Sequence, residues 1–154
     1  MQAPAKATAV GINHIALEVG NIADALEFYG ALFEFEIESR SETSAFIYFG
    51  DQFINFMTPR SQVPDSGRHF GIAVDDKEAV RAKLAELNVP LLDLKSRFLD
   101  FHDPWGNRVE ITTYQNIQFS KADHVLRGMG LGHLGKTDNA LKELGEKGML
   151  PDPD

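Results

Sequence analysis

Apolar and polar residues alternate along positions 12–19, with Ile15, Leu17 and Val19 on one face and His14, Ala16 and Glu18 on the other, the pattern of a half-covered strand. The period then changes. Asn21 is placed to cap a helix in which Ile22, Ala25, Leu26, Tyr29 and Leu32 recur at helical spacing. Three strand-like runs follow, Glu36–Ser39, Ala45–Phe49 and Phe53–Met57, and Gly50-Asp51 turns the chain between the last two. The run from Pro59 to Gly67 is dense in turn residues and reads as a connecting loop.

The plan then repeats. His69–Val74 reads as a strand, Asp75 with Glu78 as a capping box, and Val80, Leu84 and Leu87 as the apolar stripe of a second helix stopped by Asn88-Val89-Pro90. Strands at Leu91–Lys95, Phe98–His102 and Val109–Thr113 complete it, with Gly106-Asn107 at the last turn. His14 and His69 are 55 positions apart (69 − 14), as are Asn55 and Glu110 (110 − 55), and the offset runs without a gap from residue 12 to residue 33. A fixed offset of this kind marks an internal duplication. The expectation is an α+β fold of two tandem βαβββ modules, residues 11–58 and 68–115, forming a curved mixed sheet around a cavity. An N-terminal extension (1–10), a linker (59–67) and a C-terminal tail (116–154) with a short helix over Thr137–Lys147 lie outside the repeat.

At 154 residues the chain is long enough for one domain with a real core and too short for two ordinary ones. A net charge of −8 speaks against nucleic acid or an anionic membrane as partner, leaving a small molecule. No cysteine is present, which removes disulfides, thiolate nucleophiles and cysteine-type zinc sites. Neither a signal-peptide core nor a membrane-length apolar run is seen, so the expected compartment is the cytoplasm.

Strand alternation sends His14, His69 and Glu110 to the sheet face opposite the helices. Two imidazoles and a carboxylate on rigid strands form a facial triad that binds a divalent metal and leaves coordination positions open. Fe2+, Mn2+, Ni2+ and Zn2+ all accept such donors. His102, Tyr48 and Tyr114 are the candidates for catalytic acid, base or hydrogen-bonding roles, and Arg68 and Arg97 for holding an anionic group. His124 and His133 have no partner pattern and read as structural.

The runs HIALEVGNIADALEFY (14–29), HFGIAVDD (69–76) and DPWGNRVEI (103–111) resemble the vicinal oxygen chelate superfamily, which includes glyoxalase I, extradiol dioxygenases, fosfomycin-resistance enzymes, methylmalonyl-CoA epimerase and bleomycin-binding proteins. The resemblance covers residues 11–115. It implies paired βαβββ modules and a metal held by first-strand and last-strand residues, here His14, His69 and Glu110. Asn55 stands where glyoxalase I would have Glu and the epimerase Gln. Ala16 and Asp100 stand where the fosfomycin enzymes would have Thr and Tyr. The pattern left closest is that of a dioxygenase acting on a substrate that chelates the metal through vicinal oxygens, and this resemblance makes Fe2+ the favoured metal. A glyoxalase-like lyase, isomerase or transferase using the metal as Lewis acid is the alternative, and a non-catalytic drug-binding or resistance protein the second. A homodimer is expected, with the modules pairing within one chain or exchanging between two.

Overall fold

The computed structural model describes residues 6–93 and 98–150. Strand β1 (His14–Glu18) leads into helix α1 (Ile22–Leu32), followed by β2 (Glu36–Arg40), β3 (Ser44–Phe49) and β4 (Gln52–Met57). The second module contributes β5 (Phe70–Val74), α2 (Lys77–Glu86), β6 (Leu99–His102) and β7 (Arg108–Thr113). A short 3-10 turn at Tyr114–Asn116 opens a tail containing α3 (Asp123–Gly128) and α4 (Asp138–Glu146).

The duplication holds at the level of strand register. In the first sheet, of order β1-β4-β3-β2, the parallel pair β1–β4 sets His14 beside Phe53, Ile15 beside Ile54 and Ala16 beside Asn55. In the second, of order β5-β7-β6 among the described residues, the parallel pair β5–β7 sets Phe70 beside Val109 and Gly71 beside Glu110. Adding 55 to each member of the pairs Ile15/Ile54 and Ala16/Asn55 gives the second set. Hydrogen bonding leaves the modules as two sheets rather than one continuous or closed surface. The expected strand at Leu91–Lys95 falls partly outside the described residues; within them Leu91 makes a single antiparallel bridge to Phe101.

Each helix covers one face of its own sheet. Ile22, Ala25, Leu26 and Tyr29 of α1 pack on Leu17, Val19, Ile47, Ile54 and Phe56, while Val80 and Leu84 of α2 pack on Leu99, Phe101, Val109 and Ile111. Burying such side chains contributes roughly 1.5–3 kcal/mol apiece. Phe28, Phe33, Phe70 and Ile72 touch both clusters, so the two cores meet through the helices.

Helix starts follow the repeat. Asn21 accepts from the Asp24 N–H, and its counterpart 55 residues on, Asp76, accepts from the Glu78 and Ala79 N–H groups. The cap is therefore Asp76 and not Asp75, whose carboxylate instead accepts from the Asp76 N–H. Leu87 is 41% exposed and lies past the end of α2, where Asn88 takes a left-handed φ of 56° and turns the chain out of the helix.

The segment DPWGN acts as a clasp between the modules. Asp103 is buried and its Oδ1 accepts from the Trp105 and Asn107 N–H groups; Oδ2 accepts from Asn107 Nδ2 and from the Tyr29 hydroxyl at 2.9 Å. Asn107 Nδ2 also donates to the Glu18 carbonyl at the end of β1. Burial and the neighbouring Asp103 carboxylate push the Tyr29 phenol well above its ordinary pKa, so it stays a donor. Two glycines make the approach possible. A Cβ on Gly20 would lie 2.6 Å from the Trp105 indole nitrogen, and Gly106, at φ 88°, would meet Pro64 at 2.8 Å.

The tail folds back on this frame. Lys136 donates to the Tyr114, Ile117 and Phe119 carbonyls with its Nζ 3.5 Å from the Tyr114 ring centre. Burial lowers its pKa to about 8. Thr137 caps α4 and its N–H donates to Gln115, fixing the helix to the end of the second module. Helix α3 occupies part of the glycine-punctuated stretch, where no helix was expected; Gly128 and the left-handed Gly130 close it rather than prevent it.

Candidate functional site

Cross-strand neighbours share a sheet face, so the register fixes what the uncovered faces display. On the first sheet one row runs His14, Phe53, Tyr48, Glu36 and the next runs Ala16, Asn55, Phe46. On the second, Gly71, Glu110 and Asp100 form one row. Beside it Arg108 pairs with His102, and His69, one residue before Phe70, comes alongside Arg108. The same lattice of six positions thus recurs, with different chemistry in each half.

His69 and Glu110 converge. Nε2 of the imidazole and Oε2 of the carboxylate are 3.9 Å apart, too far for a hydrogen bond and suited to a shared cation. His69 Nδ1 lies 3.0 Å from the Gly67 carbonyl, which can only accept, so Nδ1 donates there and Nε2 is the ring nitrogen turned toward Glu110. His14 is prepared in the same way, with Nδ1 2.9 Å from the Asn13 side-chain oxygen. A backbone or side-chain oxygen on the distal nitrogen is the usual support of a metal-binding histidine. The donor set therefore fits a divalent cation of borderline character.

His14 does not join that pair within one chain. Among the described residues no group of three His, Cys, Asp or Glu side chains is collected as a metal would need. It lies instead at the mouth of a groove of about 430 Å³ between β1 and β5, lined by Phe33, Phe53, Phe70 and, from the tail, Phe119 and Lys121. Strands β1 and β5 are both sheet edges, so His14 on β1 and His69 just before β5 stand at open borders, while Glu110 lies one strand inward on β7.

The other candidates have local partners. The Tyr48 hydroxyl donates to Glu36 on the uncovered face, and this bond raises its pKa. His102 Nε2 lies 2.7 Å from the Asp65 carbonyl and ties β6 to the linker. Tyr114 is buried, accepts from the Lys121 N–H and packs edge-on against Phe119, serving the tail. Arg68 pairs with Asp65 in the linker, and Arg97 lies outside the described residues. Asn55 accepts from the Ser44 hydroxyl at 2.9 Å, one strand inward from Ala16. Sequence reasoning passed over Arg108, whose guanidinium donates to Asp100 and to the Ser66 carbonyl. Its position two residues before Glu110 was the available signal.

Comparison with known proteins agrees with this geometry. The family model of the Glyoxalase/Bleomycin resistance protein/Dioxygenase superfamily matches residues 11–111. A metallothiol transferase FosB of Staphylococcus haemolyticus is 35% identical over 115 residues, covering 67% of this chain and 83% of the relative. The Staphylococcus epidermidis FosB is 30% identical over 117 residues with the same coverage. Among solved structures, the fosfomycin resistance protein FosX of Listeria monocytogenes aligns with a TM-score of 0.61 at 16% identity, over 79% of this chain and 99% of that one. Lactoylglutathione lyase from Agrobacterium tumefaciens aligns at 0.54 and 20% identity, over 69% and 95%. The repeated register, the ligand-bearing faces and the matched model together place the chain in the Glyoxalase/Bleomycin resistance protein/Dioxygenase superfamily.

Proposed function

We propose that this chain is a metal-dependent transferase that joins a thiol to a small electrophilic molecule, working as a dimer in which each site draws on both copies. The observation that carries the assembly is the split ligand set. His69 and Glu110 meet on one sheet and His14 stands on the other, at the free edge of β1. A second copy related by a two-fold axis would bring its His14 to the first copy's His69 and Glu110, and an isologous contact would build two such sites at once.

The reaction class rests on the two FosB relatives, which are metallothiol transferases; they favour the transferase alternative over the dioxygenase expectation. His14, His69 and Glu110 would hold the divalent ion, which supplies Lewis acidity toward an oxygen of the electrophile. The chain's own groups do the rest. Phe53 and Phe46 give the uncovered face of the first sheet an apolar, aromatic surface that excludes water from a small substrate. Tyr48, in the His14 row, donates its hydroxyl proton to Glu36, which leaves its oxygen as a hydrogen-bond acceptor there. Ala16 and Asp100 depart from the fosfomycin-enzyme pattern, so the electrophile we propose is not bound through those two positions as fosfomycin would be.

The test is metal analysis paired with a thiol-consumption assay. Protein prepared without chelator is expected to hold close to one divalent ion per chain, lost in Glu110→Ala, and to consume low-molecular-weight thiols in the presence of reactive electrophiles only when loaded. Metal-independent thiol consumption, or retention of metal by Glu110→Ala, would contradict the reading.

A further inference from the structure

Arg108 and Glu110 are two residues apart on β7 and so share the uncovered face, with Cα atoms about 6.6 Å apart. An arginine reaches across that distance, and a guanidinium forks onto a carboxylate more tightly than most neutral partners do. Left to itself Arg108 would pair with Glu110 and occupy the oxygens that a cation needs. The structure shows the opposite. Arg108 Nε donates to Asp100 Oδ2 at 3.1 Å, Nη2 donates to the same oxygen, and Nη1 donates to the Ser66 carbonyl at 2.7 Å. Asp100 itself is 5% exposed, on β6, directly across from Glu110. The backbone N–H of Arg108 is engaged by Asp65 of the linker, which adds a second hold on the same residue. Among the described residues the one polar approach to the Glu110 side chain is that of His69, at a long 3.9 Å.

We propose that Asp100 is a positioning residue for the metal centre: it draws the Arg108 guanidinium away from Glu110 and keeps that carboxylate free for a cation. The proposal rests on the metal reading above and adds a residue to it. Asp100 acts through Arg108, and it need not touch the ion or the substrate. Its partly unsatisfied state fits this role. Oδ2 takes the guanidinium while Oδ1 has no hydrogen-bond partner among the described residues, so the carboxylate is oriented by one partner.

The test is Mn2+ binding by calorimetry to the full chain, in wild type, Asp100→Asn, Arg108→Met and the double variant. Asp100→Asn releases Arg108 onto Glu110 and is expected to weaken Mn2+ binding by about tenfold. Arg108→Met has nothing to release and should bind at least as tightly as wild type. The double variant removes both the competitor and its restraint and should return to within about threefold of wild type. That rescue is what a merely structural role for Asp100 cannot give. Wild-type affinity in Asp100→Asn, or a double variant as weak as the single one, overturns the proposal while leaving the metal site standing. A wild-type protein that binds no Mn2+, with circular dichroism showing it folded, overturns the metal reading and this proposal with it.

Discussion

The two uncovered sheet faces are copies of one lattice with opposite contents. In the first module the six related positions hold His14, Phe53, Tyr48, Ala16, Asn55 and Phe46; in the second they hold His69, Arg108, His102, Gly71, Glu110 and Asp100. Only the first-strand histidine is common to both. The first face is aromatic and carries one candidate ligand, and the second is ionic and carries two. Duplication supplied a scaffold twice, and the halves then diverged, which supports the proposal that the first face meets the substrate and the second seats the metal. Under that proposal neither face is a site without the other, and among the described residues a single chain does not collect the three candidate ligands.

The same contrast separates residues that serve the frame from those that serve the face. The DPWGN segment carries much of the family resemblance, yet four of its residues build the clasp, and the candidate metal ligand is the glutamate three positions further on. Asp103→Ala would strand the Trp105 and Asn107 N–H groups, the Asn107 amide and the Tyr29 hydroxyl. A loss of about 3–5 kcal/mol in urea unfolding is expected, because a buried charge-assisted network is removed. A loss under about 1 kcal/mol would show that the clasp does not join the modules.

Gly20→Ala asks the same of the clasp's packing. The added methyl would meet the Trp105 ring at 2.6 Å and should cost about 1–3 kcal/mol, read from the thermal midpoint and from Trp105 fluorescence, the chain having one tryptophan. An unchanged emission would mean the indole is not seated there. Caps compare the halves directly. Asn21→Ala and Asp76→Ala should each cost about 1 kcal/mol, since both side chains satisfy helix N–H groups. Asp75→Ala should cost less than Asp76→Ala, and the reverse order would restore Asp75 as the cap. The smallest effect is expected on the face. Asn55→Ala should change metal content little, because Asn55 is held by Ser44 on the sheet without the His69–Glu110 pair. Metal loss as complete as in Glu110→Ala would make Asn55 a ligand.

Much of this frame was legible in the sequence because periodicity and the 55-residue offset are local signals. Alternation placed His14, His69 and Glu110 on uncovered faces, and the helix stripe at Ile22, Ala25, Leu26 and Tyr29 is buried as expected. The offset also contained the correct cap, since Asn21 maps onto Asp76; the capping-box pattern at Asp75 and Glu78 competed with it and was followed instead. The partners of His102 and Tyr114 were not legible. They are bonded to the linker and the tail, and contacts between segments 37 and 7 residues away depend on loop paths that no period encodes. Which edges meet across a two-fold axis leaves no mark on strand alternation either, so pairing within one chain and exchange between two both stayed open from the sequence, and the division of the three ligands between copies is part of the proposal.

Mixed dimers test that division most directly. His14→Ala and Glu110→Ala chains, each unable to bind metal alone, are co-expressed with different tags and the mixed dimer is isolated by two affinity steps. If each site takes His14 from one copy and His69 with Glu110 from the other, one of the two sites is intact. Metal content should then return to roughly half the wild-type level per chain. If the three ligands meet within one chain, every site in the mixed dimer lacks a ligand, and metal content no higher than in either parent would contradict the account.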